Sequence, residues 1–145
     1  MKKLKIVTLM GFVVPLLAAC GGSHESAEGQ PHRLADTGWV TMSGEDLYFR
    51  GADVIHGFAG CNSFTGQASV KTSEISLVPS VVTAKSCLDP QDPTQEDASV
   101  MEREKQFMSA LQNTRRWRLV DTQLQLLDDR GGLVLQLKPQ SPGLR

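Results

Sequence analysis

The residues of this chain whose types and spacing could do chemistry are Cys61, Cys87, His56 and Glu104, together with a third cysteine, Cys20. Cys61 lies five positions after His56, a spacing that suggests either a thiol nucleophile or a metal pair. An activated thiolate needs a base within hydrogen-bond reach and a further group to orient that base. Only His56 is available here, so a structural histidine on a strand is the plainer reading. Zinc needs four ligands, and a third and fourth are missing. If the chain is exported, Cys61 and Cys87 are read most simply as a disulfide. Two buried thiols, or zinc or nucleophile chemistry, stand as the alternatives. A disulfide here would close a loop of about 27 residues, for which chain entropy gives roughly 3.5 kcal/mol. Glu104 sits close to an apolar helical stripe and has no second carboxylate placed with it, so pairing with a basic residue or a backbone amide is expected rather than acid–base catalysis. No catalytic residue, cofactor or metal is assigned.

Export is indicated by the first residues. Lys2, Lys3 and Lys5 precede an almost wholly apolar run from Ile6 to Ala19, which has the make-up of a signal peptide (residues 1–19) and is short for a membrane span. Leu17-Ala18-Ala19-Cys20 looks like the bacterial lipoprotein signal, which implies lipidation of Cys20 with palmitate-type chains; each buried methylene contributes about 0.8 kcal/mol to such an anchor. The alternative is ordinary cleavage nearby, with the thiol left over. Gly21 stands where lipoproteins retained at the inner membrane usually resemble one another in carrying Asp, so an outer-membrane address facing the periplasm is expected. Without the leader, twelve basic side chains face sixteen acidic ones, a net charge near −4. A mildly acidic domain is not built to grip phosphate backbones, so nucleic acid is not an expected partner.

These residues must be positioned by short, punctuated elements. Residues 20–33 are rich in Gly, Ser, Glu and His and form a flexible tether, with His24 and His32 solvated within it. The folded part is placed at 34–138. Trp39 in a β-favouring context would supply a large buried area if it faces inward, Ser43 to Asp46 read as a turn, and Leu47-Tyr48-Phe49 and Val54-Ile55 as strands separated near Gly51. Gly57, Gly60 and Gly66 bracket a corner at Cys61-Asn62-Ser63. Asn62 is expected to fix that corner by accepting positive φ and bonding its own backbone two residues on. Phe64, Gly66, Ala68 and Val70 alternate with Thr65, Gln67, Ser69 and Lys71, the pattern of a half-buried strand. Glu74 to Val78 is the next strand, ended by Pro79. Val100, Phe107, Met108 and Leu111 share one face of a helix from about Glu96 to about Gln112, capped by Asp92, Thr94 or Ser99. Arg115-Arg116-Trp117-Arg118 reads as strand alternation, although an arginine face could also meet phosphate-bearing envelope surfaces. Leu124, Leu126 and Leu127 form a strand, Asp129 to Gly132 a hairpin loop, and Leu133, Leu135 and Leu137 alternate along the last strand. Residues 139–145 are read as frayed.

The GFAGCNSFTGQASV run, Gly57 to Val70, taken with Thr83-Ala84-Lys85-Ser86-Cys87 and with Glu104, Phe107 and Leu111 in an E-x-x-F-x-x-x-L pattern, resembles the META domain, the family of HslJ-like lipoproteins. Leu34 and Trp39 match the way that family opens. The resemblance covers nearly all of Leu34 to Leu137 and implies that Gly60, Asn62, Gly66, Thr83, Glu104, Phe107 and Leu111 serve a shared architecture; no catalytic role comes with it. The expected fold is mainly β (α+β): a curved antiparallel sheet or partly closed barrel of about eight short strands with one helix packed against it. The implied function is a non-enzymatic, membrane-anchored envelope module with a stress-related or partner-binding role, heat-inducible expression being what the family's name records. The rivals are a cysteine-dependent enzyme or redox protein using Cys61 with His56 or Cys87, and a carrier of a small apolar ligand. A filled interior would argue against the carrier.

Overall fold

The structure, a computed structural model, describes residues 33–140 apart from 82 and 84. The signal peptide, Cys20, the tether as far as residue 32 with His24 and His32, and the last five residues lie outside the described residues.

The described chain is an antiparallel meander interrupted once by a helix. Its elements are β1 (Gly38–Val40), β2 (Asp46–Arg50), β3 (Val54–Phe58), β4 (Ser63–Val70), β5 (Ile75–Val81), α1 (Ala98–Asn113), β6 (Arg116–Val120), β7 (Gln123–Leu127) and β8 (Leu133–Pro139). The eight strands form one sheet in the order β5-β4-β3-β2-β1-β8-β7-β6. Every neighbour pair is antiparallel, and the first strand meets the last where Trp39 lies opposite Pro139. This curled sheet brings its two end strands back together along a short seam. Glu74 bridges Arg116 there, the Ile75 amide donates to the Arg115 carbonyl at 3.0 Å, and the Trp117 amide donates to the Ser73 carbonyl at 3.1 Å. The expected partly closed barrel with one packed helix is the fold observed, and α1 packs on β5 and β8.

The alternation of side chains explains the closure. Inward positions carry Trp39, Leu47, Phe49, Ile55, Phe64, Ile75, Leu77, Trp117, Leu124, Leu126 and Leu137, all buried, and Phe107, Met108 and Leu111 of α1 join them. Among the described residues the interior is filled by these side chains, which speaks against the carrier. Phe64 meets Phe107 edge to face, with ring centroids 6.0 Å apart, which ties the helix to the corner strand. Trp117 also donates its indole N–H to the Lys71 carbonyl at 3.0 Å, so this aromatic fills the core and pins the seam together.

Five local expectations are corrected. β5 runs through Pro79 to Val81; it is an end strand of the sheet, where a missing donor that faces the open side is tolerated. Asp46 begins β2 rather than belonging to the turn, and both Glu45 and Asp46 are buried. The helix cap is Asp97, whose carboxylate accepts from the Ser99 and Val100 amides. Asp92 instead accepts from Thr94 in a local turn of the preceding loop. A bulge at Leu126/Leu127 shifts the register against β8, so that Leu127 faces Leu133 and Leu126 faces Leu135; the alternation breaks there and Leu133 is left exposed. Pro139 is part of β8, and the Gln140 amide still bonds the Gly38 carbonyl at 2.8 Å.

Candidate functional site

The Cys61–Cys87 corner is built from three separate stretches of chain: the β3–β4 turn running into the start of β4, the segment after β5, and α1. Gly60 turns the backbone at φ +110°, a value that side-chain-bearing residues rarely adopt. Beyond it Cys61 and Cys87 form a disulfide with Cα atoms 5.8 Å apart, an ordinary separation for such a bridge. The bridge ties the segment after β5 to the corner. It also steadies the helix start, because the Cys87 carbonyl accepts from the amide of the capping Asp97.

Asn62 is the hub, and it works differently from the expected local turn. Among the described residues the non-glycine positions at positive φ are Asp36 and Asp121, so Asn62 keeps ordinary backbone geometry. Its side chain reaches across the chain instead. The amide nitrogen donates to Glu104 Oε1 at 3.1 Å, and the oxygen accepts from Thr83 Oγ1 at 3.0 Å and from the Lys85 amide at 2.8 Å. The backbone amide of Asn62 donates to Glu104 Oε2 at 2.8 Å, and Thr83 Oγ1 in turn accepts from the Ser63 amide at 3.0 Å. Asn62 is 8% exposed, so these bonds satisfy a polar group that burial would otherwise penalise. Glu104 thus reaches a backbone amide, as expected, and adds a side-chain amide.

Gly66 serves the corner through close approach. A Cβ placed there would lie 2.4 Å from the Val78 carbonyl oxygen and 2.8 Å from the Pro79 Cα, so only glycine lets β5 lie against β4 at this point. Phe107 and Leu111 anchor the same helix in the core one and two turns beyond Glu104.

A second polar cluster flanks the corner. Glu45 accepts hydrogen bonds from the hydroxyls of Thr41 and Ser43, and Arg103 Nε lies 3.7 Å from its Oε1. Burial pushes the Glu45 carboxyl up. The two hydroxyls, its own amide and the Arg103 guanidinium together outweigh burial and hold it below the usual carboxylate range. Nothing periodic in the sequence marks this cluster. Glu45 reads as a turn residue, and its partner Arg103 lies on a helix far along the chain. The sequence signal available is an acid two residues after Thr-x-Ser, whose hydroxyls can donate to it.

The chemistry open to this arrangement is limited. The sulfurs of Cys61 and Cys87 and a carboxylate oxygen of Glu104 lie within 4.8 Å of one another, so the third ligand missing from the sequence is supplied in space. Both sulfurs are joined to each other, however, and a disulfide sulfur is neither a thiolate ligand nor a nucleophile. Both Glu104 oxygens are engaged by Asn62. His56 stands exposed on the outer face of β3, stacked on Tyr48 with centroids 5.2 Å apart. The corner is a hydrogen-bonded joint.

A family sequence model described as META domain matches residues 24–141. The chain belongs to the META domain family. The corner, Thr83 and Glu104 that make up the joint are the residues on which the resemblance rested. The META domain family is not a known enzyme family. A solved structure described as the NMR structure of the protein from Burkholderia xenovorans superposes with a TM-score of 0.57 at 17% identity, covering 95% of this chain and 99% of its own. At that identity the likeness shows a shared fold and nothing further. No curated protein matches the chain.

Proposed function

We propose that this META-domain protein is an exported lipoprotein, held at the cell envelope through lipid on Cys20, that acts by binding a partner rather than by catalysis. The observation that carries the anchoring is the Leu17-Ala18-Ala19-Cys20 sequence at the end of an apolar leader. The Cys61–Cys87 bridge supports export, since such bonds persist in oxidising compartments. The binding reading is supported by a corner whose acid, amide and sulfur atoms are all engaged with one another, which leaves no poised nucleophile or base there. A periplasm-facing position at the outer membrane and a role under stress complete the proposal. Labelled palmitate supplied to cells should appear on the wild-type protein and not on Cys20→Ala. Absence of label from the wild type, or label that persists on Cys20→Ala, would overturn the anchoring.

A further inference from the structure

Beside the disulfide, the face of α1 carrying Met101, Lys105, Met108 and Gln112 forms one wall of a cleft of about 360 Å³, and Val81, Lys85 and Cys87 form the other. The stripe follows from helical spacing, since positions four, seven and eleven residues apart lie on one side. The two walls carry open apolar side chains: Val81 is 51% and Met101 43% exposed, and Leu88, which adjoins Cys87 outside the lining, is 50% exposed. Such side chains clustered beside a cleft mark a surface that contacts something apolar. Methionines suit it, because an unbranched thioether adapts to an incoming side chain.

The charges define the occupant. Lys85 and Lys105 line the cleft, and neither has an ion-pair partner among the described residues. The acid that lines it, Glu104, is turned inward and spends both oxygens on Asn62. The cleft therefore presents two unpaired ammonium groups over methionine and valine. A fixed wall is part of the design, for the disulfide and the bond from the Lys85 amide to Asn62 hold the 85–87 segment in place. A preformed wall lowers the ordering cost of binding.

We infer that the cleft between α1 and the Lys85–Cys87 segment binds an acidic peptide segment of a partner protein, with an apolar side chain seated on Met101 and Val81 and carboxylates on Lys85 and Lys105. This rests on the partner-binding reading above and names the site and the chemistry of the partner.

The test uses the purified full chain and a fluorescent synthetic peptide of alternating Glu and Leu. Binding by anisotropy should weaken at least about tenfold, equivalent to about 1.4 kcal/mol, in Lys105→Glu, Lys85→Glu and Met101→Ser, all exposed positions, and stay unchanged in Lys138→Glu. Carbodiimide coupling of the bound peptide, mapped by mass spectrometry, should mark Lys85 and Lys105 ahead of Lys71 and Lys138. Coupling spread evenly over the lysines, equal binding of a Lys–Leu or Glu–Ser peptide, or displacement of the peptide by laurate at a stoichiometric level would each overturn the inference. Anchoring does not enter this measurement. Palmitate labelling without cleft binding would sink the cleft alone, and cleft binding without labelling would sink the anchor alone.

Discussion

Asn62 shows how much of the corner depends on one side chain. It offers its amide nitrogen to Glu104 and its oxygen to Thr83 and Lys85, so a substitution that keeps its shape but removes the donor is the sharpest probe. Asn62→Asp sets a second carboxylate against Glu104 in a buried place. We expect it to cost about 3 kcal/mol near neutral pH. Urea unfolding reads the loss, and a variant as stable as the wild type would refute the carboxylate contact. Glu45 makes the opposite case. Its folded-state pKa is depressed, so its contribution to stability is complete above the unfolded carboxylate pKa and is lost as pH falls through the lower folded value. Glu45→Gln should flatten that part of the acid limb of a stability–pH curve; an unchanged limb would show that Glu45 does not contribute to it.

At the scale of elements, the helix start and the β4–β5 contact carry separable expectations. Asp97 accepts from two first-turn amides and from the Ser99 hydroxyl. Asp97→Ala should lower the thermal midpoint and fray the first turn, while Asp97→Asn, which keeps the acceptor, should recover most of it. Hydrogen exchange at Ser99 and Val100 follows the turn directly, and equal behaviour of the two variants would deny the cap. Gly66→Ala forces a methyl against the Val78 carbonyl and should destabilise by about 1–3 kcal/mol. That loss should come with faster exchange along β5, and a neutral effect would mean that β5 can shift away without cost. Pro79 belongs to the same contact. It reads as a strand stop because it lacks a donor, and only the position of β5 at the end of the sheet shows that the donor is not needed.

For the molecule as a whole, the disulfide joins residues 26 apart and closes the loop that contains β4, β5 and the segment after them. Replacing both cysteines with serine should cost about 3.5 kcal/mol of unfolding free energy, since the open chain regains the entropy of that loop. Chemical denaturation under oxidising and reducing conditions measures it. A native protein that alkylates at Cys61 without prior reduction would contradict the bridge and restore the thiol reading.

The sequence determined that there are eight strands and one helix and most of the faces they bury, but not the bulge that exposes Leu133. Alternation at Phe64 to Val70 and the spacing of Phe107, Met108 and Leu111 are local consequences of backbone geometry, and the motif runs named the family. It also supplied the corner's members, because glycines, Cys61, Asn62, Thr83 and Glu104 are unusual enough in type and spacing to stand out. Only the tertiary structure decided what those members do to one another. Asn62 and Glu104 lie 42 residues apart, and the bond between them exists because the barrel closes and seats α1 on the corner. The Glu45–Arg103 pair, the seam at Trp117 and the lysine-flanked cleft arise the same way. Each joins groups from distant segments, whose meeting depends on the packing of the whole and leaves no periodic trace along the chain.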